Sequence, residues 1–371
     1  MQARACSGWW GVDRPAALRA AIGMAFSLAL SLGSELSAGE AGVGLSAPAL
    51  PDVSTAPKQA ASLAEAGGLD HSVWDGVLSR IVRPEGVDYL EARARHLPAI
   101  ANYLEGLCRV RVGALGRDER LAYWLNLHNA TLVGAVAQRF YDGYRVDERD
   151  HVLLDERTVW TPVRLYSLKE VRALACSPEF VEPRAFIGLS LAARAGPALA
   201  ARAYRGDTVR QALLDRTAQY VQATTRFAEF NGRERLQLSP VLDWNQAAFG
   251  GLGDVLTEVA RHHGGDLSRR RYEFVRFDWA LDLAPPARGR WVRVIEGRAE
   301  LRRSPDGPAQ GWVGRQRVLE CVEEAPGFVK VLVPPRHEAL WLPREAVGPW
   351  PRGAREGLVV GEAPGSSTQD E

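Results

Sequence analysis

The stretch DERLAYWLNLHNATLVGAVAQRFY, from Asp118 to Tyr141, decides the fold of this chain. When it is wound as an α-helix, apolar residues occupy nearly the whole circumference, which is typical of a helix buried on all sides. Asp118 stands where an N-cap residue is expected. The sequence therefore predicts a globular domain packed around one buried central helix.

An amphipathic helix is predicted ahead of the central one. Apolar residues between Val73 and Ile81 recur at steps of three and four, which is the spacing of one helical face. Pro84 and Gly86 then form a turn that ends this helix.

Three shorter elements are predicted after the central helix. Residues 142–166 contain short polar segments that are predicted to form strands or loop, and a short helix begins at Ser167. The run AFIGL, Ala185 to Leu189, is strand-like because it is a short apolar run held between a proline and a serine. A longer helix covers Thr208 to Phe227 and is opened by a capping box of Thr208 and Gln211.

The hydrophobic period falls to two beyond Pro285 and Pro286. Short alternating runs separated by Gly or Pro turns follow there: WVRVIEG, AELRRSP, GWVGRQ, RVLECVEE, FVKVLVP and ALWLPRE. Such spacing favours a small antiparallel barrel. The predicted fold class is therefore α+β, with a helix-rich domain and a small sheet over residues 68–285, followed by a small antiparallel β-barrel over 286–350.

The overall charge excludes one class of function. The chain has 46 basic and 45 acidic residues and a net charge of +1, so no general field attracts it to nucleic acid. Arg269, Arg270 and Arg271 with Arg276 make a local positive patch, which we interpret as a solvated turn in preference to an anion site. Residues 351–371 are rich in Gly, Glu and Ser, which predicts a disordered tail.

The N-terminus predicts export. Residues 20–32 read AAIGMAFSLALSL and follow arginines, which is the arrangement of a secretory leader. The run is shorter than the roughly 20 apolar residues that a bilayer crossing needs, and small residues follow it. We therefore assign residues 1–41 to a signal peptide and 42–67 to a flexible linker, and expect no integral membrane domain beyond the leader.

The cysteines and histidines predict neither metal nor cofactor. Removal of the leader would take Cys6 and leave Cys108, Cys176 and Cys321, an odd number that allows one disulfide at most. Their separations match no zinc-binding spacing. Buried free cysteines are the expected outcome.

Motifs across residues 68–285 resemble those of a known family and occur in the same order. The string AYWLNLHNATLV is similar to the signature helix of the bacterial and plant family called domain of unknown function 547. The pieces HSVWDGVLSRIVRPEGVDY, SLKEVRAL, EPRAFIGLSLAARAGPALAARAY, VLDWNQAAFGG and RFDWALDLA are similar to its other blocks. Residues 290–350 separately resemble bacterial Src-homology-three-like modules.

The resemblance implies a thiol-imidazole site that this chain lacks. Family members show Pro-Arg-x-His followed by a Cys, which suits acyl transfer because the imidazole raises the thiolate fraction. This chain keeps Pro183 and Arg184, but Phe186 takes the histidine position and the cysteine position falls at Ser190 or Leu191. Because phenylalanine neither accepts nor donates a proton, cysteine-histidine chemistry at that site is lost.

Four residues are candidates for catalysis if the chain has an enzymatic activity. Ser190 lies in GLSLA, a near match to the G-x-S-x-G nucleophile elbow. Asn126 could donate to an oxyanion, His128 could act as a base although it points away from the asparagines of its helix, and Asp278 could orient a histidine. For each we favour a structural interpretation: a residue closing a strand, a buried amide, a core histidine and a helix cap.

Five residues are candidates for binding. Asn129 shares a helix face with Asn126 and could line a cleft, and Arg184 is retained from the family motif. Aromatic rings of the terminal module could make flat contacts with peptides or glycans; these are Trp291, Trp312 and Trp341.

The sequence thus predicts an exported, non-catalytic binding or scaffolding protein of the periplasm or cell envelope. Its terminal barrel would contact cell-wall peptide or an envelope protein, without nucleic acid and without a cofactor. The alternative is a hydrolase or acyl transferase that uses Ser190, or a relocated set drawn from His128, Asn126 and Asp278.

Overall fold

The computed structural model describes residues 68–146, 151–230, 232–264, 267, 271–334 and 338–351. The predicted leader, the linker and the tail beyond Pro351 lie outside these residues. Within the described part, the residues from Asp70 onward belong to one compact unit.

All the α-helices of the described residues precede the terminal strands. They are α1 (Ser72–Ile81), α2 (Tyr89–Glu91), α3 (Leu97–Leu107), α4 (Arg117–Arg139), α5 (His151–Leu154), α6 (Leu168–Ala175), α7 (Val209–Thr224), α8 (Pro240–Trp244), α9 (Gln246–Phe249) and α10 (Leu252–His263). Across the described ranges, none of them combines the length and apolar character that a membrane crossing needs.

Helix α4 is the buried centre that its sequence predicts. All ten residues from Leu121 to Ala130 are buried, as an apolar circumference requires. The helix begins differently from the prediction, because Gly116 is the N-cap and Asp118 lies in the first turn. There the Asp118 carboxylate binds Arg210 of α7 at 2.7 Å, so its charge joins two helices and does not cap one.

The strands of the described residues form four separate sheets. They are β1 (Val82–Arg83), β2 (Gly86–Val87), β3 (Arg157–Trp160), β4 (Leu165–Ser167), β5 (Arg226–Phe230), β6 (Arg233–Leu238), β7 (Tyr272–Phe274), β8 (Arg290–Val294), β9 (Arg298–Arg302), β10 (Ala309–Gly314), β11 (Val318–Ala325), β12 (Phe328–Val333), β13 (Glu338–Pro343) and β14 (Val347–Trp350). Strands β1 with β2 and β3 with β4 form antiparallel pairs, whereas β7 joins the β5–β6 pair in parallel to β6.

The last seven strands form one antiparallel sheet in the order β10-β9-β13-β12-β11-β8-β14. The six predicted strand segments correspond to β8 to β13, which confirms the α+β class with its antiparallel terminal sheet. Strand β14 was not predicted, and it pairs with β8 so that Trp350 lies opposite Trp291.

Two local predictions are wrong. The run AFIGL is not a strand, because Ala185–Gly188 forms a 3₁₀ turn with every residue buried. The capping box predicted at Thr208 is also absent: Thr208 makes no side-chain cap bond. A complete capping box occurs instead at Ser167 and Glu170, at the start of α6.

Buried and partly buried polar contacts join the terminal sheet to the helices. The guanidinium of Arg93 donates to the carbonyl oxygens of Val318 and Phe140, and burial lowers the pKa of Arg93 to about 9. The carboxylate of Asp142 accepts from Arg293 at 2.9 Å. Because a buried donor without an acceptor is costly, these contacts fix the sheet against the helical part.

Candidate functional site

Phe186, which takes the predicted histidine position, lies in a packed core. Phe186 is 2% exposed, and its ring packs edge-to-face against Phe249 with ring centroids 5.9 Å apart. The same cluster contains buried aliphatic side chains of α7, β6 and α10; these include Val221, Leu236, Val255 and Val259. A titratable side chain at this position would face packed apolar side chains, with no solvent cavity in which it could exchange a proton with a substrate.

Ser190 has a structural role in the turn that follows. It is 2% exposed, and its Oγ accepts a hydrogen bond from the backbone nitrogen of Ala192 at 3.1 Å. None of the described imidazoles bonds to that oxygen. The residue also lacks the strand and helix that flank a nucleophile elbow, because a 3₁₀ turn precedes it and irregular chain follows.

The two asparagines of α4 hold backbone groups of distant segments. Asn126 donates to the carbonyl of Tyr204 at 2.8 Å and accepts from its nitrogen at 2.9 Å. Asn129 donates to Gly188 O at 2.8 Å and accepts from Ser190 N at 3.0 Å. Each amide therefore uses its oxygen and one N–H on backbone groups, and Asn126 and Asn129 are only 1% and 2% exposed, so both have the role of buried structural amides.

His128 is a neutral core histidine. It is buried, and its Nδ1 lies 3.3 Å from Asn129 Oδ1, beside the asparagine from which it was expected to point away. Burial, and next the positive charge of Arg172, lower its pKa to about 3. A general base works best with a pKa near the operating pH, so this imidazole is poorly suited to the role.

Asp278 and Arg184 lie outside this buried centre. Asp278 is half exposed and pairs with Arg194 at 3.6 Å. Arg184 binds Glu258 at 2.7 Å and Glu182 at 3.3 Å. Among the described contacts Asp278 meets no imidazole, and Arg184 already has two carboxylate partners, so the structure argues against the predicted catalytic and binding roles.

The three predicted tryptophans differ in exposure. Trp291 and Trp341 are 4% and 7% exposed, so their rings are buried and do not offer flat contact surfaces. Trp312 is 37% exposed, and the guanidinium of Arg298 lies 4.7 Å from its ring centroid. Only Trp312 of the three has a ring that a partner could reach.

The described cysteines carry free thiols, and potential metal ligands are scattered. Cys108, Cys176 and Cys321 are free thiols, while Cys6 lies outside the described residues. Burial raises the pKa of Cys108 to about 11, and its Sγ donates to Trp160 O at 2.7 Å. Within the described part of the chain, no three or more His, Cys, Asp or Glu side chains are grouped to hold a metal ion.

An open cleft of about 780 Å³ lies between residues 140–145 and 276–283. We name it the Arg276 cleft. Its charged lining residues are Asp142, Arg145, Arg194, Arg276 and Asp278. Its aromatic lining residues are Phe140, Tyr144, Phe277 and Trp279.

The sequence interpretation missed most of this cleft. Asp278 was considered as a partner for a histidine or a helix cap, and Arg276 was interpreted as part of a solvated turn in preference to an anion site. Arg194 comes from a different part of the chain, and backbone bonds from Arg194 N to Ala280 O at 2.7 Å and from Ala195 N to Asp278 O at 3.3 Å bring it there. No spacing in the sequence signals that approach.

Comparison with known proteins adds no relative: no family model, curated protein or solved structure matches this chain. The fold and the site define an α+β protein with a buried polar centre and an open cleft lined by arginines and aromatic residues.

Proposed function

We propose that this chain is an exported, non-catalytic binding or scaffolding protein of the cell envelope. The observation that carries the proposal is the burial of Phe186 and Ser190, each 2% exposed, at the position where the family it resembles has a thiol and an imidazole. A buried phenylalanine packed on Phe249 supports a structural role for this segment. On this proposal, the chain belongs with the family called domain of unknown function 547 and has lost the family's reactive pair.

The terminal sheet is proposed as a Src-homology-three-like barrel that contacts the partner. Trp312 supports this role because its ring is partly exposed on β10, at one end of the strand order. Arg298 lies over the same ring and adds a positive charge. An exposed aromatic beside an arginine suits a peptide of the cell wall or a segment of an envelope protein.

Co-sedimentation of the purified full chain with peptidoglycan sacculi tests the binding role. Trp312→Ala should weaken binding by about tenfold, since an exposed aromatic anchor is removed. Val322→Ala is the matched control, because Val322 is another exposed apolar residue of the same sheet. Equal binding of the wild-type chain and Trp312→Ala would contradict the proposed contact surface.

Export is tested separately in cells. The leader lies outside the described residues, so its support is the apolar run at residues 20–32. Fractionation should place the chain in the envelope or periplasm, with an N-terminus downstream of residue 32 by mass spectrometry. Cytosolic protein with residue 1 intact would contradict export.

A further inference from the structure

We propose that the Arg276 cleft binds a small ligand that carries one carboxylate on an apolar or aromatic group, such as the free C-terminus of a short peptide. Arg276 and Arg194 would hold the carboxylate. This site is separate from the Trp312 surface, and it would stand if that surface bound nothing.

The charges of the cleft favour an anion. Arg276 is exposed and has no ion pair or hydrogen bond with any residue that the structure describes. Arg194 is 70% exposed and only loosely paired with Asp278, at 3.6 Å. Because an exposed pair of this kind contributes little, a ligand carboxylate can displace or join Asp278 at modest cost. Guanidinium groups bind planar carboxylates through paired, charge-assisted hydrogen bonds.

The balance of charge favours a single negative charge on the ligand. Three arginines and two aspartates line the cleft. Asp142 is bound by Arg293 at 2.9 Å, whereas Asp278 is about half exposed beside Arg194 and would repel a second negative charge on a ligand. A carboxylate fits this field better than a doubly charged phosphate group.

The walls of the cleft suit an apolar or aromatic neighbour of that carboxylate. Trp279 stacks on Trp244 at 5.9 Å and contacts Phe277 at 4.4 Å, so its ring is held in place. Tyr144 on the opposite side packs against Tyr141 at 5.2 Å. Small-ligand sites are commonly clefts of about 300–1,000 Å³ with apolar walls and a few polar groups that fix orientation. The Arg276 cleft has that composition and size.

Isothermal titration calorimetry of the full chain with N-acetyl-Phe-Ala tests the proposal. The free acid should bind about tenfold more tightly than the same peptide with a C-terminal amide, because the amide cannot form a charge-assisted pair. Arg276→Gln should remove most of that preference for the acid. Asp278→Asn should tighten binding of the acid by roughly two- to fivefold, since it removes the competing carboxylate.

Two controls separate this site from other effects. Arg288→Gln changes an exposed arginine outside the cleft and should leave the affinity for the acid unchanged. Trp312→Ala should also leave it unchanged, so failure of the sheet surface and failure of the cleft give different patterns. Equal binding of acid and amide, or full retention of the preference in Arg276→Gln, would overturn the proposal. Tighter binding of inorganic phosphate than of the acid would also overturn it.

Discussion

The side-chain oxygen of Asn129 accepts the backbone N–H of Ser190 at 3.0 Å, which ties the middle of the central helix to the turn after Ala185–Gly188. Its amide nitrogen donates to Gly188 O in the same turn. One polar side chain thus satisfies two buried backbone groups. Asn129 and Ser190, which an enzyme could use as a polar cleft residue and a nucleophile, here form a structural clamp between the central helix and the turn.

Asn129→Leu should lower the free energy of unfolding by about 2–4 kcal/mol, because it leaves the N–H of Ser190 and the carbonyl of Gly188 buried without partners. Urea denaturation measures this change. Ser190→Ala is the matched comparison and should cost at most about 1 kcal/mol, since only the Oγ bond to Ala192 is lost. The reverse order of the two costs would contradict the clamp.

Phe186→His introduces an imidazole into a packed core and should destabilise the protein by about 3 kcal/mol, because a polar ring replaces an apolar one. Phe186→Leu, which keeps the site apolar, should cost about 1 kcal/mol. Thermal and urea unfolding compare the two variants. A tolerated histidine whose NMR titration has a pKa near the usual value of about 6.5 would show an open cavity at this position.

His128 should make the protein less stable in acid. Burial lowers its folded-state pKa to about 3, so between the ordinary pKa of about 6.5 and that value the unfolded chain binds a proton that the folded chain rejects. Stability from this group is complete above pH 6.5 and falls by up to about 1.4 kcal/mol per pH unit below it. His128→Asn should show a smaller loss of stability between pH 7 and pH 5 in urea denaturation, and an unchanged loss would contradict the assignment.

Asp282 should make the protein less stable as the pH rises, which is the opposite of the effect of His128. Desolvation raises the pKa of its carboxyl to about 7, and Tyr89 donates to Oδ1 at 2.7 Å. The folded chain therefore holds a proton that the unfolded chain has already lost above about pH 4, so stability falls as pH rises toward 7. Asp282→Asn keeps an acceptor for Tyr89 and should remove that fall between pH 5 and pH 8 in urea titrations. An unchanged slope in Asp282→Asn would contradict the assignment.

The fold was largely predictable because its main elements carry strong periodic signals. Helix α4 has an apolar circumference, and strands β8 to β13 alternate with a period of two. Strand β14 contains Gly348 and Pro349, which hide its pattern. The run at Ala185 is too short for any period to separate a strand from a buried turn, and the cap at Thr208 failed because Gln211 bonds to Asp215 instead.

The candidate site was less predictable, because the role of each side chain depends on hydrogen-bond partners that are distant in the sequence. Helical spacing places Asn126 and Asn129 on one face, but only the folded chain brings Tyr204 to the first and Gly188 to the second. The same limit applies to the Arg276 cleft, where no local pattern links Arg194 to the segment that follows strand β7.

Fluorophosphonate labelling of the folded chain, followed by peptide mass spectrometry, tests the central claim most directly. Since Ser190 is buried and its hydroxyl accepts from Ala192, the account predicts no adduct on Ser190 under conditions that fully label an active serine hydrolase in the same tube. A stoichiometric adduct on Ser190 that disappears in Ser190→Ala would contradict it and establish an acyl-transfer enzyme instead.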